Sequence, residues 1–281
     1  MQGKTVVVTG ATSGIGEVAA VELARQGARI VFVARNPLRR DTTLARLSVA
    51  NDKAKHTAYL ADLSKLSEMK RVAGEIAAAE PRIDVLINNA GALFGARETT
   101  ADGLEMTFAT NHMAYFVVTN LLLAKLKATP GARIVSTASD AHKSGKLNFD
   151  DLQSEKSFSG FRAYGTSKLC NILFNRELAR RLSGTGVTAN CLHPGFVATR
   201  FGDNNDGLMS FGIGIVKKMG AITPEDGAKT IIYLASSPDV AGQSGGYFYK
   251  SAPATPTAAA QNDADAKRLW EVSAKIAGVG A

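Results

Sequence analysis

Thr5-Val6-Val7-Val8-Thr9-Gly10-Ala11-Thr12-Ser13-Gly14-Ile15-Gly16 is the stretch whose reading decides the fold. Its first five residues are all β-branched, the composition of a strand buried on both faces. Gly10 ends the run, and beyond Gly14 the apolar residues Val18, Val21, Leu23 and Ala24 recur at helical spacing. A strand that passes through a glycine turn straight into a helix leaves unpaired N–H groups and a positive dipole end facing the turn, which suits a phosphate. The glycines let the chain turn sharply and let a ligand approach the backbone closely. The spacing is G-x-x-x-G-x-G rather than the common G-x-G-x-x-G fingerprint. In its strand–turn–helix setting it points to a dinucleotide pyrophosphate cradled by Gly10, Thr12, Ser13, Gly14, Ile15 and Gly16.

Working outward, short β-branched runs alternate with longer amphipathic stretches. The predicted strands are Thr5–Thr9, Arg29–Ala34, His56–Leu60, Val85–Asn88, Arg133–Thr137, Val187–Leu192 and Gly246–Tyr249. Strands alternating with helices make parallel β-α-β units. The expectation is one α/β domain spanning residues 1–281, a doubly wound (Rossmann) parallel seven-stranded sheet with helices on both faces. Three segments are too long for simple connections. The first is residues 140–162, of which 140–161 form one wall of a pocket, with Phe158 and Phe161 as candidate lining. Residues 196–223 read as a substrate-lid insertion; their stretch Gly207–Val216 is apolar and glycine-rich and precedes Lys217-Lys218. A core-packed loop or a weak membrane-surface contact are the other readings of that stretch. Residues 250–281 form a C-terminal tail with a helix over Asp263–Ile276, in which Trp270 is a packing anchor.

Composition narrows the function classes. The chain has 281 residues, 45% hydrophobic and 21% charged, which is ordinary globular composition. No apolar run reaches the ~18 residues of a membrane helix. The net charge is +8, but no basic run exceeds two residues, which argues against nucleic acid and for a small anionic ligand. Cys170 and Cys191 make neither a disulfide framework nor a zinc pair, so the expected compartment is the cytoplasm and both thiols are expected buried. His56, His112, His142 and His193 have no ligand spacing, and no metal is expected.

Two further clusters bear on chemistry. The second strand ends in Arg35-Asn36, without a carboxylate there to hold the ribose hydroxyls of NAD; an arginine at that place accommodates the 2′-phosphate of NADP, so NADP(H) is the expected cofactor. Tyr164 and Lys168, four apart in a helical segment, share a face. A phenol titrates near 10, and a neighbouring ammonium favours the phenolate. Ser139 follows the fifth strand at the edge where open α/β sheets bind ligands. Asn111 stands inside a helix, an unusual place for it.

Gly10–Gly16, Asn88-Asn89-Ala90-Gly91, Asn111, Ser139, Tyr164-x-x-x-Lys168 and Pro194-Gly195, in that order, resemble the short-chain dehydrogenase/reductase family over nearly the whole chain. Asn111-His112, Phe149-Asp150-Asp151-Leu152, Ser167-Lys168-Leu169, Phe174–Leu182, His193-Pro194-Gly195 and the tail Arg268–Ser273 are similar to its retinol dehydrogenase and carbonyl reductase branch. The resemblance implies Tyr164 as the acid in reduction and base in oxidation, and Lys168 as the group that lowers its pKa and holds the nicotinamide ribose. It implies that Ser139 bonds the substrate oxygen and that Asn111 holds a water of a proton relay. It places Asp62 and Leu63 by the adenine, Asn88, Asn89, Ala90 and Gly91 along the cofactor cleft with Asn88 and Gly91 supporting the fourth strand, and Pro194, Gly195, Val197 and Thr199 near the nicotinamide. Membrane-bound retinol dehydrogenases carry an N-terminal anchor, whereas Met1-Gln2-Gly3-Lys4 leads directly into the first strand here. The expectation is therefore a relative without a transmembrane anchor, acting on a small hydrophobic carbonyl or alcohol. A homodimer or homotetramer through the helices holding Asn111 and Tyr164 is also implied. A non-catalytic NADP-sensing regulator and an epimerase-type relative are the alternative functions.

Overall fold

In the computed structural model, residues 1–197 and 222–279 are described. Each of these short runs forms a strand: β1 (Thr5–Thr9), β2 (Arg29–Ala34), β3 (Thr57–Leu60), β4 (Val85–Asn88), β5 (Arg133–Thr137), β6 (Thr188–Leu192) and β7 (Tyr247–Tyr249). They lie in the order β3-β2-β1-β4-β5-β6-β7, all parallel. An eighth strand corrects the expected seven. β8 (Ala252–Pro253) pairs antiparallel with β7 at the sheet edge. Lys250 and Ser251 turn the chain there with φ of 49° and 59°. Two-residue hairpins favour that conformation, but they normally announce it with Asn-Gly or Asp-Gly.

Helices α1 (Gly14–Arg25), α2 (Pro37–Ala50) and α7 (Pro224–Ser236) bury Leu23, Leu47 and Ile231 against one face of the sheet. On the other face lie α3 (Leu66–Ala79), α5 (Ala114–Lys127) and α6 (Gly160–Arg181), which bury Ile76, Phe116 and Phe174. The helix that enters α5 is irregular: α4 (Met106–Phe108) runs into a π-helical turn over Ala109–Met113. Such turns interrupt helices frequently at functional sites. Because β1 neighbours both β2 and β4, the connections leave the sheet in opposite directions from this point. A crevice opens between the carboxyl ends of the two strands.

The tail returns across the second face. Its helix α8 (Asp263–Ala277) lies on α6. Trp270 stacks on Phe174 with ring centroids 5.7 Å apart and meets Phe116 edge-on at 4.9 Å, while the Arg181 guanidinium covers its outer side. A ring of this size removes about 150–250 Å² from water, worth roughly 4–6 kcal/mol at about 25 cal/mol per Å² before entropic costs. Among the described residues no helix is long and apolar enough to cross a membrane.

His112 sits within this aromatic layer, fully buried, with Nε2 2.9 Å from Ser273 Oγ of α8. Burial pushes its pKa down from 6.5 to about 3. The folded chain therefore binds fewer protons than the unfolded chain between those values. This contribution to stability is complete above pH 6.5 and is lost as the pH falls below it. In urea unfolding from pH 6.5 downward, the wild type should lose stability faster than His112→Gln, which cannot titrate; parallel curves would contradict the account.

Candidate active site

The crevice is a cleft of about 960 Å³ at the carboxyl ends of β1, β2, β4, β5 and β6. Its floor is set by the β1 turn. Gly10 adopts φ 71°, and a Cβ there would come within 2.7 Å of Ala90 Cα, so only glycine allows the β1 and β4 ends to approach this closely. Thr9 Oγ1 accepts the N–H groups of Asn89 (3.0 Å) and Ala90 (3.2 Å). Asn89 donates from Nδ2 to Gly10 O at 3.1 Å and accepts Thr137 Oγ1 at 3.2 Å, bracing β1, β4 and β5 together.

Gly10, Thr12, Ser13, Gly14 and Ile15 line the cleft. Ser13 precedes α1 in extended conformation and its side chain caps no N–H, so the opening N–H groups of α1 have no side-chain cap. That is a cradle for an anion, and the residues present fit the pyrophosphate of a dinucleotide. Gly16 does not line the cleft; it stands behind it, where a side chain would collide with Gly10 O and the Asn89 amide. Arg35 lies exposed at the β2 end and, with Arg39, borders the cleft. Asn36 does not reach it: its side chain caps α2 by accepting Arg39 N–H at 3.0 Å. Asp62 and Leu63 line the β3 side, with Asp62 held by Ser64 N–H and Oγ. Ala90 and Gly91 line the β4 side, whereas Asn88 is buried and donates to Thr119 Oγ1 at 2.9 Å.

At the other end α6 presents Tyr164 and, one turn later, Lys168. Lys168 is 3% exposed and donates from Nζ to Thr137 O at 3.2 Å. The amine lies 5.5 Å from the centre of the Tyr164 ring. Burial works against that pairing here. Burial pushes the Lys168 amine down to about 7, weakening the very charge that would favour a phenolate. Burial likewise pushes Tyr164 up to about 12, opposed by a hydrogen bond with Ser139. Desolvation is the largest influence on both groups, and no carboxylate is among the groups that shift either one.

Ser139 begins a 3₁₀ turn over Asp140–Ser144, its Oγ accepting Ala141 N–H at 3.2 Å. Gly165, next to Tyr164, brings this turn onto α6: a Cβ there would fall 2.7 Å from Ala141 O. Gly145 faces it, its own Cβ position 2.5 Å from Gly165 O. Neither glycine was singled out from the sequence, because nothing local marks a close approach between two distant segments. Asn111, in the π-helical turn, lies one layer behind the cleft. Its Oδ1 accepts Ala92 N–H at 2.8 Å, and Nδ2 donates to Ala92 O at 2.9 Å and Ser167 Oγ at 3.0 Å, joining the β4 loop to α6 beside Lys168.

Apolar side chains also line the cleft: Leu93, Phe94, Met106, Phe161, Phe196, Val197 and Tyr249. Phe158 is not among the lining residues. Pro194 and Gly195 lie on the lining beside His193, whose ring stacks on Tyr249 at 4.0 Å. Thr199, and the lid reading of 196–223 apart from its ends, fall outside the described residues. Those ends meet: Ile222 N–H donates to Phe196 O at 2.8 Å. Cys170 and Cys191 are buried, and among the described residues no cluster of His, Cys, Asp or Glu could hold a metal ion.

Residues 4–207 match the family model of the short chain dehydrogenases. The chain belongs to the short-chain dehydrogenase family. Retinol dehydrogenase 14 of Mus musculus is 41% identical over 291 residues, covering 99% of this chain and 87% of that protein. Retinol dehydrogenase 13 of Homo sapiens is 39% identical over 286 residues, covering 99% and 86%. Among solved structures, an uncharacterized protein from Mycobacterium paratuberculosis superposes with a TM-score of 0.79 at 30% identity, covering 99% of this chain and 94% of that one. The RhlG/NADP active-site complex of Pseudomonas aeruginosa gives 0.70 at 28% identity, covering 88% and 94%. This short-chain dehydrogenase is thus an oxidoreductase that uses a nicotinamide cofactor, near the retinol dehydrogenase branch.

In this short-chain dehydrogenase Gly165→Ala should overpack the contact with the 3₁₀ turn and destabilise the fold by about 1–3 kcal/mol, read as a lower thermal midpoint. An unchanged midpoint would show that the contact relaxes freely.

Proposed function

We propose that the protein is an NADP(H)-dependent reductase of hydrophobic aldehydes or ketones, running in reverse on the corresponding alcohols. The observation that carries this reading is the convergence of Tyr164, Lys168 and Ser139 at an apolar mouth, with Arg35 at the opposite end of the same cleft. The cofactor, when bound, supplies or accepts the hydride. The chain's residues handle the proton and the charge. As a carbonyl carbon is reduced, negative charge grows on its oxygen, and Tyr164 O–H and Ser139 O–H donate to that oxygen. With its pKa raised to about 12 by burial, Tyr164 is protonated at neutral pH, the form a proton donor needs. After the transfer, Lys168 returns a proton to the phenolate, and a water held at Asn111 extends the path towards solvent. The apolar wall of Leu93, Phe94 and Met106 fits the hydrocarbon part of a substrate. The names of the retinol dehydrogenase relatives, which denote a hydrophobic alcohol, support the same class.

Arg35 supports NADP over NAD. It makes no ion pair among the described residues, and a guanidinium pairs with a phosphate through parallel donors. The neighbour RhlG was solved with NADP. A segment at 196–223 serving as a lid over the mouth belongs to this reading. A cofactor sensor without chemistry would not need Tyr164 and Lys168 together at the cleft mouth.

Loss of NADPH absorbance on a panel of hydrophobic carbonyls tests the activity, and turnover of polar polyols alone would overturn the substrate class. Tyr164→Phe should cut kcat by roughly 10²–10⁴-fold while NADPH binding, followed by fluorescence, stays within a few-fold. Lost affinity with intact chemistry would remove Tyr164 from its role. Arg35→Asp should weaken NADPH by roughly 10- to 100-fold, the worth of one charge-assisted contact, and leave NADH nearly unchanged. An unaltered preference would dismiss the phosphate contact.

A further inference from the structure

We propose that His142 is a positioning residue for the reaction: its Nδ1–H holds the Ser139 carbonyl, and the backbone of the C-terminal strap locks its ring in place. The inference rests on the reading of Ser139 as a group that touches the substrate oxygen. His142 is 1% exposed in the 3₁₀ turn that Ser139 opens. Its Nδ1 lies 2.8 Å from Ser139 O, and its Nε2 lies 3.2 Å from the backbone N of Thr257. An amide N–H can only donate, so Nε2 accepts; Ser139 O can only accept, so Nδ1 carries the proton. Both nitrogens are then satisfied by one neutral tautomer. The imidazolium would set Nε2–H against Thr257 N–H, donor against donor.

The arrangement fixes the serine from two sides. Ser139 O also accepts the His142 backbone N–H at 3.1 Å. On its side-chain end, Ser139 Oγ accepts Ala141 N–H at 3.2 Å and bonds Tyr164. The His142 ring is wedged edge-on against Tyr247, at 5.4 Å, which stacks on His193 of the cleft lining at 5.7 Å. The strap is itself tied down: Ala254 N–H donates to Tyr247 O at 2.8 Å, and Ala260 is buried in the next turn. Asp140 and Lys143, the charged groups on the turn of His142, pair with each other at 2.7 Å. Burial lowers the proton affinity of the ring, in keeping with the neutral form.

Two substitutions separate positioning from filling space. Asparagine offers an N–H where Nδ1 stands and keeps the hold on Ser139 O; glutamine reaches towards Thr257 N and gives it up. With decanal and NADPH, His142→Gln should lose roughly 10- to 100-fold in kcat, the cost of a misplaced catalytic group, while His142→Asn stays within a few-fold of wild type. NADPH affinity should hold in both. Equal loss or equal retention in the pair overturns the inference. Thr257 has φ −60° and ψ 159°, which proline adopts without strain, so Thr257→Pro deletes that N–H together with a hydroxyl that has no hydrogen-bond partner among the described residues.

Nitrogen-15 spectra of the histidine rings give a readout independent of turnover, with the His142 signals assigned by their absence in His142→Asn. At neutral pH the wild-type ring should be the Nδ1–H tautomer, and Thr257→Pro should release it into a mixture. An Nε2–H tautomer or an imidazolium in the wild type overturns the inference. Ser139→Ala in the same assay separates the two readings. Full turnover in that variant sinks the role of Ser139, whereas a crippled Ser139→Ala beside a fully active His142→Gln sinks only the role of His142.

Discussion

A buried amine must find an acceptor, and in this protein it finds the carbonyl of Thr137. That one oxygen receives Lys168 Nζ at 3.2 Å, Tyr115 OH at 3.4 Å and Asn171 Nδ2 at 3.4 Å. An ammonium withdrawn from water without such a partner would cost several kcal/mol. The contact pins α6 to the end of β5. Tyr164, one turn earlier on α6, is carried to the cleft mouth, and Ser139, two residues beyond Thr137, is carried to meet it. The relative placement of three side chains from two distant segments thus reduces to one strand end and one helix.

The same residue joins the two halves of the cleft. While its carbonyl holds Lys168, the Thr137 hydroxyl donates to Asn89, whose amide holds the glycine turn of β1. The anion cradle and the Tyr164–Lys168 pair are therefore parts of one hydrogen-bonded frame across β1, β4 and β5, not two independent sites. Asn111 adds a second brace, from the β4 loop to α6. Rigid strand ends and helix starts hold each polar group, which is the condition for electrostatic preorganisation.

Much of this frame was legible in the sequence. Short apolar runs gave all seven parallel strands to within a residue, because strands covered on both faces are apolar along most of their length. Tyr164 and Lys168 share a face because the period of the helix dictates it. What escaped was tertiary. Gly16 and Asn36 carry the composition of ligand contacts, yet one packs behind the turn and the other caps a helix. The β7–β8 hairpin turns on Lys250-Ser251, a pair with no turn signature. The closeness of Gly145 to Gly165, and the span from His142 to Thr257, are set by chain segments that no local window contains. The pairing of Tyr164 with Lys168 can be read from spacing, whereas the desolvation that raises the Tyr164 pKa cannot.

The clasp between His112 and Ser273 spans 161 residues. A nascent chain leaving the ribosome can assemble β1 to β5 long before α8 emerges, but until then Phe116 and Phe174 stand without Trp270. Contacts of such separation are slow to form, and an uncovered aromatic layer invites association with other chains. The aromatic face that Trp270 covers on α5 and α6 therefore stays open until the last helix has been made.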